Sequence, residues 1–387
     1  MKTLSRWILA LLLGLNTVAV GPNAKPVYKA ATPARTLVDD SIALLPKSDV
    51  VAILDINRLM NDLLPKARTA WPEPVAKLEK ELNEITSDAA KSGVDLLKVK
   101  TLTIGLKLFG NDTSGAMIVD GITLQPESMK DSTATTYKGK TVYIEKSAPE
   151  PKASSKSSLK GSAAPKTRPA ARKPASGKSS DGPGGVPLGN VSDVASSVGA
   201  NLLKGTTAFV QLDAARVAIG DEVEVKAVID AATGSPTPAT NVSADLSAAL
   251  QETTSTGLLR FAVTIPDDAR KAAQGEEFLK NLALTKMVLG TLDVGDDMGL
   301  LLDAKLRTGS ANDATKLHES LAALMGLGKM MLGGNQDPMM VMLNKLLDQI
   351  RITPQANDVT LAVSVPRELY EMFLKSESKA APAKNDK

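Results

Sequence analysis

The chain of 387 residues contains no cysteine, one histidine and few aromatic residues: five Phe, four Tyr and two Trp. The lack of cysteine excludes disulfide scaffolds, thiolate zinc sites, iron–sulfur clusters and cysteine nucleophiles. One histidine excludes metal sites built from several histidines and leaves a single conceivable Ser–His triad, around His318. Few aromatics argue against sugar-binding platforms and single-strand nucleic-acid grooves, because both rely on stacking. The sequence holds no catalytic motif, so we expect a non-enzymatic protein with no catalytic, cofactor-binding or metal-binding residues and no cofactor.

What the chain does contain is typical of a globular protein, with 43% hydrophobic and 23% charged residues. The net charge of +3 is unevenly distributed. Residues 147–190 carry eight lysines and arginines against only Glu150 and Asp181. The rest of the chain, apart from its N-terminus, is mildly acidic. The isoelectric point near 8.7 therefore reflects one basic segment and not the globular part.

The N-terminus has the layout of a secretory signal peptide. Lys2 and Arg6 precede an apolar run from Trp7 to Leu15, shorter than the roughly 20 apolar residues that span a bilayer. We predict a signal peptide at residues 1–20, with cleavage as late as residue 31 as a variant, and export to the periplasm or cell envelope. The alternatives are an uncleaved N-terminal membrane anchor, a buried helix, and release to the extracellular medium. The absence of cysteine is compatible with an oxidising compartment.

The basic segment at 147–190 consists mainly of Ser, Ala, Lys, Pro and Gly, with almost no large apolar residue. Such a stretch cannot bury enough surface to offset the entropy of ordering it. We predict a disordered linker here and a disordered tail at 377–387. The linker is interpreted as a solvated tether, and the alternative is an arm that binds an acidic polymer. Export argues against nucleic acid as a partner and leaves at most peripheral contact with lipid head groups.

Apolar patterns on both sides of the linker predict an α+β fold. Val50–Ile56 indicates a buried strand, a stripe from Val75 to Ala89 at spacings of three and four indicates an amphipathic helix, and 98–109 with 116–124 indicates a hairpin. Strand, helix, hairpin, helix and strand follow one another twice along the chain. We therefore predict duplicated units with mainly antiparallel sheets and helices packed on one face, in one domain or two. The predicted boundaries are 36–146 for the first unit, 191–256 for a bridging hairpin and helices that complete it, and 257–376 for the second unit.

Three stretches carry a resemblance to a known group of proteins: LLPKSDVVAILDINRLMNDLLPKA from Leu44, YKGKTVYI from Tyr137 and RVAIGDEVEVKAVIDA from Arg216. The chain resembles uncharacterised exported bacterial proteins that carry a duplicated α+β domain of unknown function behind a signal peptide. The resemblance covers most of the chain outside the linker, which departs from the pattern as an insertion. It implies export and a duplicated fold, but no activity and no functional residues.

The polar groups that could support catalysis are explained more simply by structure. His318 lies beside the apolar stripe of a predicted helix around Leu317 and Leu321, which indicates a half-exposed helical histidine. A glycosidase or calcium site would need carboxylates brought together. The three acidic pairs fall instead where turns or helix starts are predicted. They are Asp39–Asp40, Asp267–Asp268 and Asp296–Asp297.

Six of the thirteen methionines fall within eighteen residues, which makes this segment the one candidate surface in the sequence. They are Met325, Met330, Met331, Met339, Met340 and Met342. Methionine fills irregular cores and also lines adaptable binding surfaces. Core packing is the first interpretation, a pliable apolar surface the second, and copper(I) binding at Met340 and Met342 a distant third. Glycines at 326, 328, 333 and 334 favour a surface that can repack.

These observations lead to one functional expectation with two alternatives. We expect a non-enzymatic exported envelope protein that binds a partner protein or an apolar ligand. A carboxylate-based hydrolase is the first alternative, because the chain has many Asp and Glu without an assigned role. The second alternative is a structural envelope protein whose basic linker contacts an anionic polymer.

Overall fold

The computed structural model of the protein describes residues 37–91, 96–108, 114–129, 132–145, 207–234, 242–275, 280–334 and 338–369. The predicted signal peptide at 1–20, the linker at 147–190 and the tail at 377–387 lie outside these residues.

The dominant element is one sheet of twelve strands, in which every pairing is antiparallel. The strands are β1 Val50–Asp55, β2 Thr101–Lys107, β3 Ser114–Asp120, β4 Thr133–Tyr137, β5 Lys140–Glu145, β6 Thr207–Gln211, β7 Arg216–Asp221, β8 Leu259–Thr264, β9 Met287–Val294, β10 Leu300–Arg307, β11 Arg351–Gln355 and β12 Asp358–Val365. Their order across the sheet is β11, β12, β10, β9, β8, β1, β2, β3, β7, β6, β5, β4.

Helices precede, connect and follow the strands, so the fold is α+β with a large antiparallel sheet. They are α1 Leu37–Leu44, α2 Ile56–Arg58, α3 Leu64–Ala70, α4 Pro72–Lys91, α5 Glu222–Ala232, α6 Ala244–Gln251, α7 Asp267–Gln274, α8 Ala311–Leu332 and α9 Pro338–Leu347. A π-helical stretch, Leu59–Leu63, joins α2 to α3, and short 3-10 turns lie at Leu96–Lys98, Pro126–Ser128 and Leu282–Leu284.

The strands β1 to β7 form one part of the sheet and the strands β8 to β12 form the other. The two parts meet where β1 pairs with β8. Ala52 lies opposite Phe261 and Leu54 opposite Leu259 in this register. From β1 the sheet continues outward through β2 and β3, and from β8 it continues outward through β9 and β10. The backbone hydrogen bonds therefore run without a break from one part to the other.

Both faces of the sheet are covered by apolar side chains, because neighbouring residues of a strand point to opposite faces. On the first face, Val51 and Ile53 belong to a buried cluster that also includes Ile42 of α1, Val228 of α5 and Leu246 of α6. The prediction that all helices pack on one face is wrong, since other helices cover the second face.

The second face begins with Ala52 and Leu54, which pack with Leu63 of the π-helical stretch and with Leu292. Residues that lie opposite each other on neighbouring strands point to the same face, so Leu306 of β10 also belongs to the second face. The helices α8 and α9 pack there. A sequence stripe reveals that a helix has a buried side, but the face of the sheet it meets depends on the chain path.

Side-chain caps explain three of the helix starts. The side chains of Asp55, Ser243 and Ser310 each accept a hydrogen bond from the backbone N–H three residues later, at the starts of α2, α6 and α8. Pro65 does not end the helical run that follows β1. Proline is tolerated there because it falls in the first turn of α3, just after the π-helical stretch.

Candidate functional site

An exposed apolar surface lies on the helical pair α8–α9. The side chains of Met330 and Met331 on α8 are 73% and 74% exposed. Leu327 on α8 and Val341 on α9 are also exposed. Leu327, Met330 and Met331 follow a spacing of three and four residues, which places them on one side of the helix. These four residues form what we call the Met-rich surface.

The N-terminal half of α8 is anchored on the second face of the sheet. Ala314 and Leu317 are fully buried and pack with Val359 of β12, and Leu306 of β10 packs against the same cluster. The Ser310 side chain accepts a hydrogen bond from the N–H of Asp313 and caps the helix. This anchoring fixes the direction in which the second half of α8 presents its methionines.

The helix α9 is held by its own small core and by its packing against α8. Met342, 8% exposed, packs with Val365 of β12 and Leu369. The two helices approach closely at Gly328, where an added Cβ would lie 3.0 Å from Leu347 Cδ1. Lys329 Nζ lies 2.8 Å from Asp348 Oδ1, so an ion pair joins the last turn of α8 to the residue that follows α9.

The structure divides the six predicted methionines. Met330 and Met331 are exposed, Met325 and Met340 are half-buried, and Met342 is buried. Met339 belongs to α9, and its side chain lies outside the described residues. Core packing thus accounts for Met342 but not for the exposed pair. The copper interpretation loses its geometric basis. Met340 and Met342 are two residues apart on α9, and two such residues are rotated by roughly 200° about the helix axis, which places them on nearly opposite sides.

Sequence reasoning missed Leu327 and Val341 as members of this surface. A signal for Leu327 was present, since it precedes Met330 and Met331 by three and four residues. Nothing in the pattern around Val341 distinguishes its exposed side chain from the buried Met342 beside it.

His318 is half-buried on α8, next to the buried Leu317, as expected for a helical histidine at the edge of an apolar stripe. The acidic pairs lie in separate elements: Asp39–Asp40 within α1, Asp267–Asp268 in the first turn of α7, and Asp296–Asp297 between β9 and β10. Some of these acids bond within their own turn, and Asp296 instead pairs with Lys66 of α3, at 3.5 Å. Asp267 pairs with Arg270, and Asp297 accepts a hydrogen bond from the N–H of Gly299.

Asp120 and Glu224 are buried acids elsewhere in the fold, and a third, Asp293, pairs with Arg58. Asp120 of β3 accepts hydrogen bonds from Ser41 Oγ at 3.2 Å and Thr101 Oγ1 at 3.0 Å. Burial raises the pKa of this carboxyl. Glu224 of α5 accepts from Lys107 Nζ at 2.6 Å and from Ser114 Oγ at 2.9 Å. Each acid thus joins a helix to strands, an arrangement that serves packing.

Within the part of the chain that the structure describes, no group of three or more His, Cys, Asp or Glu side chains is placed to hold a metal ion. Among the same residues, no helix combines the length and the apolar character needed to cross a membrane.

Comparison with known proteins gives little to set beside this geometry. No family model matches the chain, and no curated protein matches it. Two crystal structures of TP0453 align with most of it. Crystal form I gives a TM-score of 0.37 and 8% identity, covering 90% of this chain and 99% of that chain. Crystal form III gives 0.40 and 8%, covering 87% and 98%. A likeness of this size supports no inference about function, and the resemblance to exported bacterial proteins stays a prediction.

Proposed function

We propose that this protein is a non-enzymatic exported protein of the cell envelope that binds an apolar ligand, or an apolar surface of a partner, through the Met-rich surface. The observation that carries the proposal is the exposure of Leu327, Met330 and Met331 on one side of α8, with Val341 exposed on the adjoining α9. Clustered exposed apolar side chains mark binding sites more often than single ones do.

Methionine suits this role because its unbranched thioether side chain adapts to differently shaped apolar groups. Gly326 and Gly334 of this region have open space where a Cβ would lie, which favours a surface that adjusts to its ligand. Four of the six exposed large hydrophobic side chains of the described residues belong to the Met-rich surface. The proposal therefore rests on several exposed apolar side chains and not on one residue.

Binding of an apolar fluorescent probe tests the proposal. The native protein should enhance probe fluorescence, and the double substitution M330K/M331K should remove most of the enhancement without changing the urea midpoint. A matched control is V223K, because Val223 is 76% exposed on α5, away from this surface. A probe that stays dark with the native protein, or equal binding by M330K/M331K and V223K, would contradict the proposal.

Mild peroxide provides a second test that needs no ligand. Sulfoxidation follows exposure, so Met330 and Met331 should be oxidised well before the buried Met342. Peptide mass spectrometry measures the order, and prior oxidation should weaken probe binding because a sulfoxide is polar. Simultaneous oxidation of Met342 and the exposed pair would show that α9 does not hold its core in solution.

Export is supported by the charged and then apolar layout from Lys2 to Val20 and by the resemblance to exported bacterial proteins. We expect loss of about the first 19 to 30 residues, as for a signal peptide of ordinary length. Intact-mass measurement of protein from the host's envelope fraction tests this. Full-length protein recovered from the cytosol would argue against export.

We also infer that the α+β unit is duplicated. The order α1, β1, helices, β2, β3 is followed later in the chain by α6, β8, α7, β9, β10. The two sets lie on opposite sides of the β1–β8 pairing, as a two-fold relation would require. An experimental structure in which one rotation superposes β1–β3 on β8–β10 together with their preceding helices would support duplication. A poor superposition would point to coincidence.

A further inference from the structure

The sheet has two edge strands, β11 and β4. They differ in how well their sequences discourage pairing with a strand of another chain. Edges commonly carry proline or charge, which discourages pairing with another chain. The edge strand β11 contains both, Pro354 and the exposed Arg351. The edge strand β4 has the sequence TATTY, with neither charge nor proline, and its first four side chains are exposed. Among the described residues, no strand pairs with its outer side.

The turn after β4 determines which backbone groups point outward. Lys138 and Gly139 both have positive φ, 46° and 76°, and link Tyr137 to Lys140 as a two-residue hairpin turn. The flanking pair, Tyr137 and Lys140, is hydrogen-bonded in such a hairpin, and bonded pairs then alternate along the strands. The N–H and C=O groups of Ala134 and Thr136 therefore point away from β5 and are available to another strand.

We propose that β4 pairs antiparallel with β4 of a second copy of this chain, about a two-fold axis at Thr135. This register places Ala134 of each copy opposite Thr136 of the other, so the outward N–H and C=O groups of both residues become bonded. Thr135 meets its own symmetry mate, and Thr133 meets Tyr137. Threonine pairs are favourable across antiparallel strands, and no like charges face each other within the paired strands.

The strand is self-complementary, which is what a two-fold interface requires. Five residues per copy form a contact far smaller than the roughly 800 Å² per partner of a stable complex. The dimer is therefore weak, and its population depends on protein concentration. It would join two twelve-stranded sheets edge to edge.

Analytical ultracentrifugation of the full chain tests the pairing. The weight-average mass of the native protein should rise from the monomer value as concentration goes from low micromolar to near-millimolar. The variant T135K should stay monomeric, because two lysines would face each other at the axis. The control T135V should dimerise like the native protein, and T353K on the opposite edge should leave dimerisation unchanged. A native protein that stays monomeric throughout, or a loss of dimer in T353K, would overturn the proposal.

The absence of native cysteine allows a direct test of the register. Thr135 is a non-hydrogen-bonded position between the two copies, where Cα atoms lie about 4.5 Å apart, within the range that a disulfide spans. The variant T135C should therefore form a disulfide-linked dimer under mild oxidation. T136C should do so much less, because its opposite residue is Ala134. Equal cross-linking of the two variants would reject this register.

Discussion

Replacing Gly326 of α8 by alanine is expected to stabilise the protein by about 0.5–1 kcal/mol, the usual cost of glycine inside a helix. An added Cβ at this position meets no atom within 4 Å, so no steric penalty opposes the gain in helix propensity. Gly328, two residues further along α8, offers a matched comparison. Its propensity gain is the same, but its Cβ would lie 3.0 Å from Leu347 Cδ1.

The contact at Gly328 is tighter than an ordinary van der Waals contact, so the Leu347 side chain must shift by a few tenths of an ångström. Overpacking typically costs about 1–3 kcal/mol in a rigid core, and less where the contacted atom ends a flexible side chain. We therefore expect G328A to gain little or to lose stability, with G326A clearly above both G328A and the native protein.

Urea unfolding with a common m-value measures the stability difference, and amide hydrogen exchange locates it. In G326A, protection should rise in the second half of α8, next to the Met-rich surface. Stabilisation of G328A equal to that of G326A would show that α9 does not pack against α8 at this position. A destabilised G326A would refute the helical assignment at residue 326.

Three further predictions follow from other parts of the chain. D120N should keep the hydrogen bonds from Ser41 and Thr101, because an amide oxygen also accepts. Since burial raises the pKa of Asp120, the folded protein holds this proton more tightly than the unfolded chain does. The native protein should therefore lose stability relative to D120N as the pH rises above about 4; parallel pH profiles for the two proteins would refute this. M342A should cost about 2 kcal/mol by urea unfolding, near the low end for buried methionine because its cluster is small, and a loss below about 0.5 kcal/mol would place Met342 outside a core. Trypsin should cut first within 152–178, because this segment contains eight lysines and arginines and almost no large apolar residue. Equal early cutting within Pro72–Lys91 would contradict the linker boundary.

Strand positions in the first part of the chain were predicted well where apolar patterns are strong. The run Val50–Ile56 became β1, and the alternation within 98–109 became β2 at Thr101–Lys107. The strand β4 was not predicted, because TATTY has no apolar alternation and lies at an exposed edge. Edge strands of this kind gain their structure from pairing with a neighbour, which leaves little trace in their own sequence.

In the candidate site, too, the sequence indicates some features and not others. The sequence places the six methionines in one segment and favours core packing for all of them. A period of 3.6 residues shows which side chains share one side of a helix. It does not show whether a sheet or solvent lies next to that side. Met342 meets β12, whereas Met330 and Met331 lie beyond the part of α8 that packs on the sheet.

Composition is enough to exclude cysteine chemistry and sites built from several histidines, since the absence of cysteine and the single His318 hold in any conformation. The sequence also indicates most strands and helices, because local periodicity depends on residues a few positions apart. The pairing of β1 with β8, about two hundred residues apart in the chain, into one sheet is visible only in the folded protein. The same holds for the helices on both faces of the sheet and for the position of β4 at its edge. These features depend on contacts between distant segments, and no local pattern encodes which segments meet.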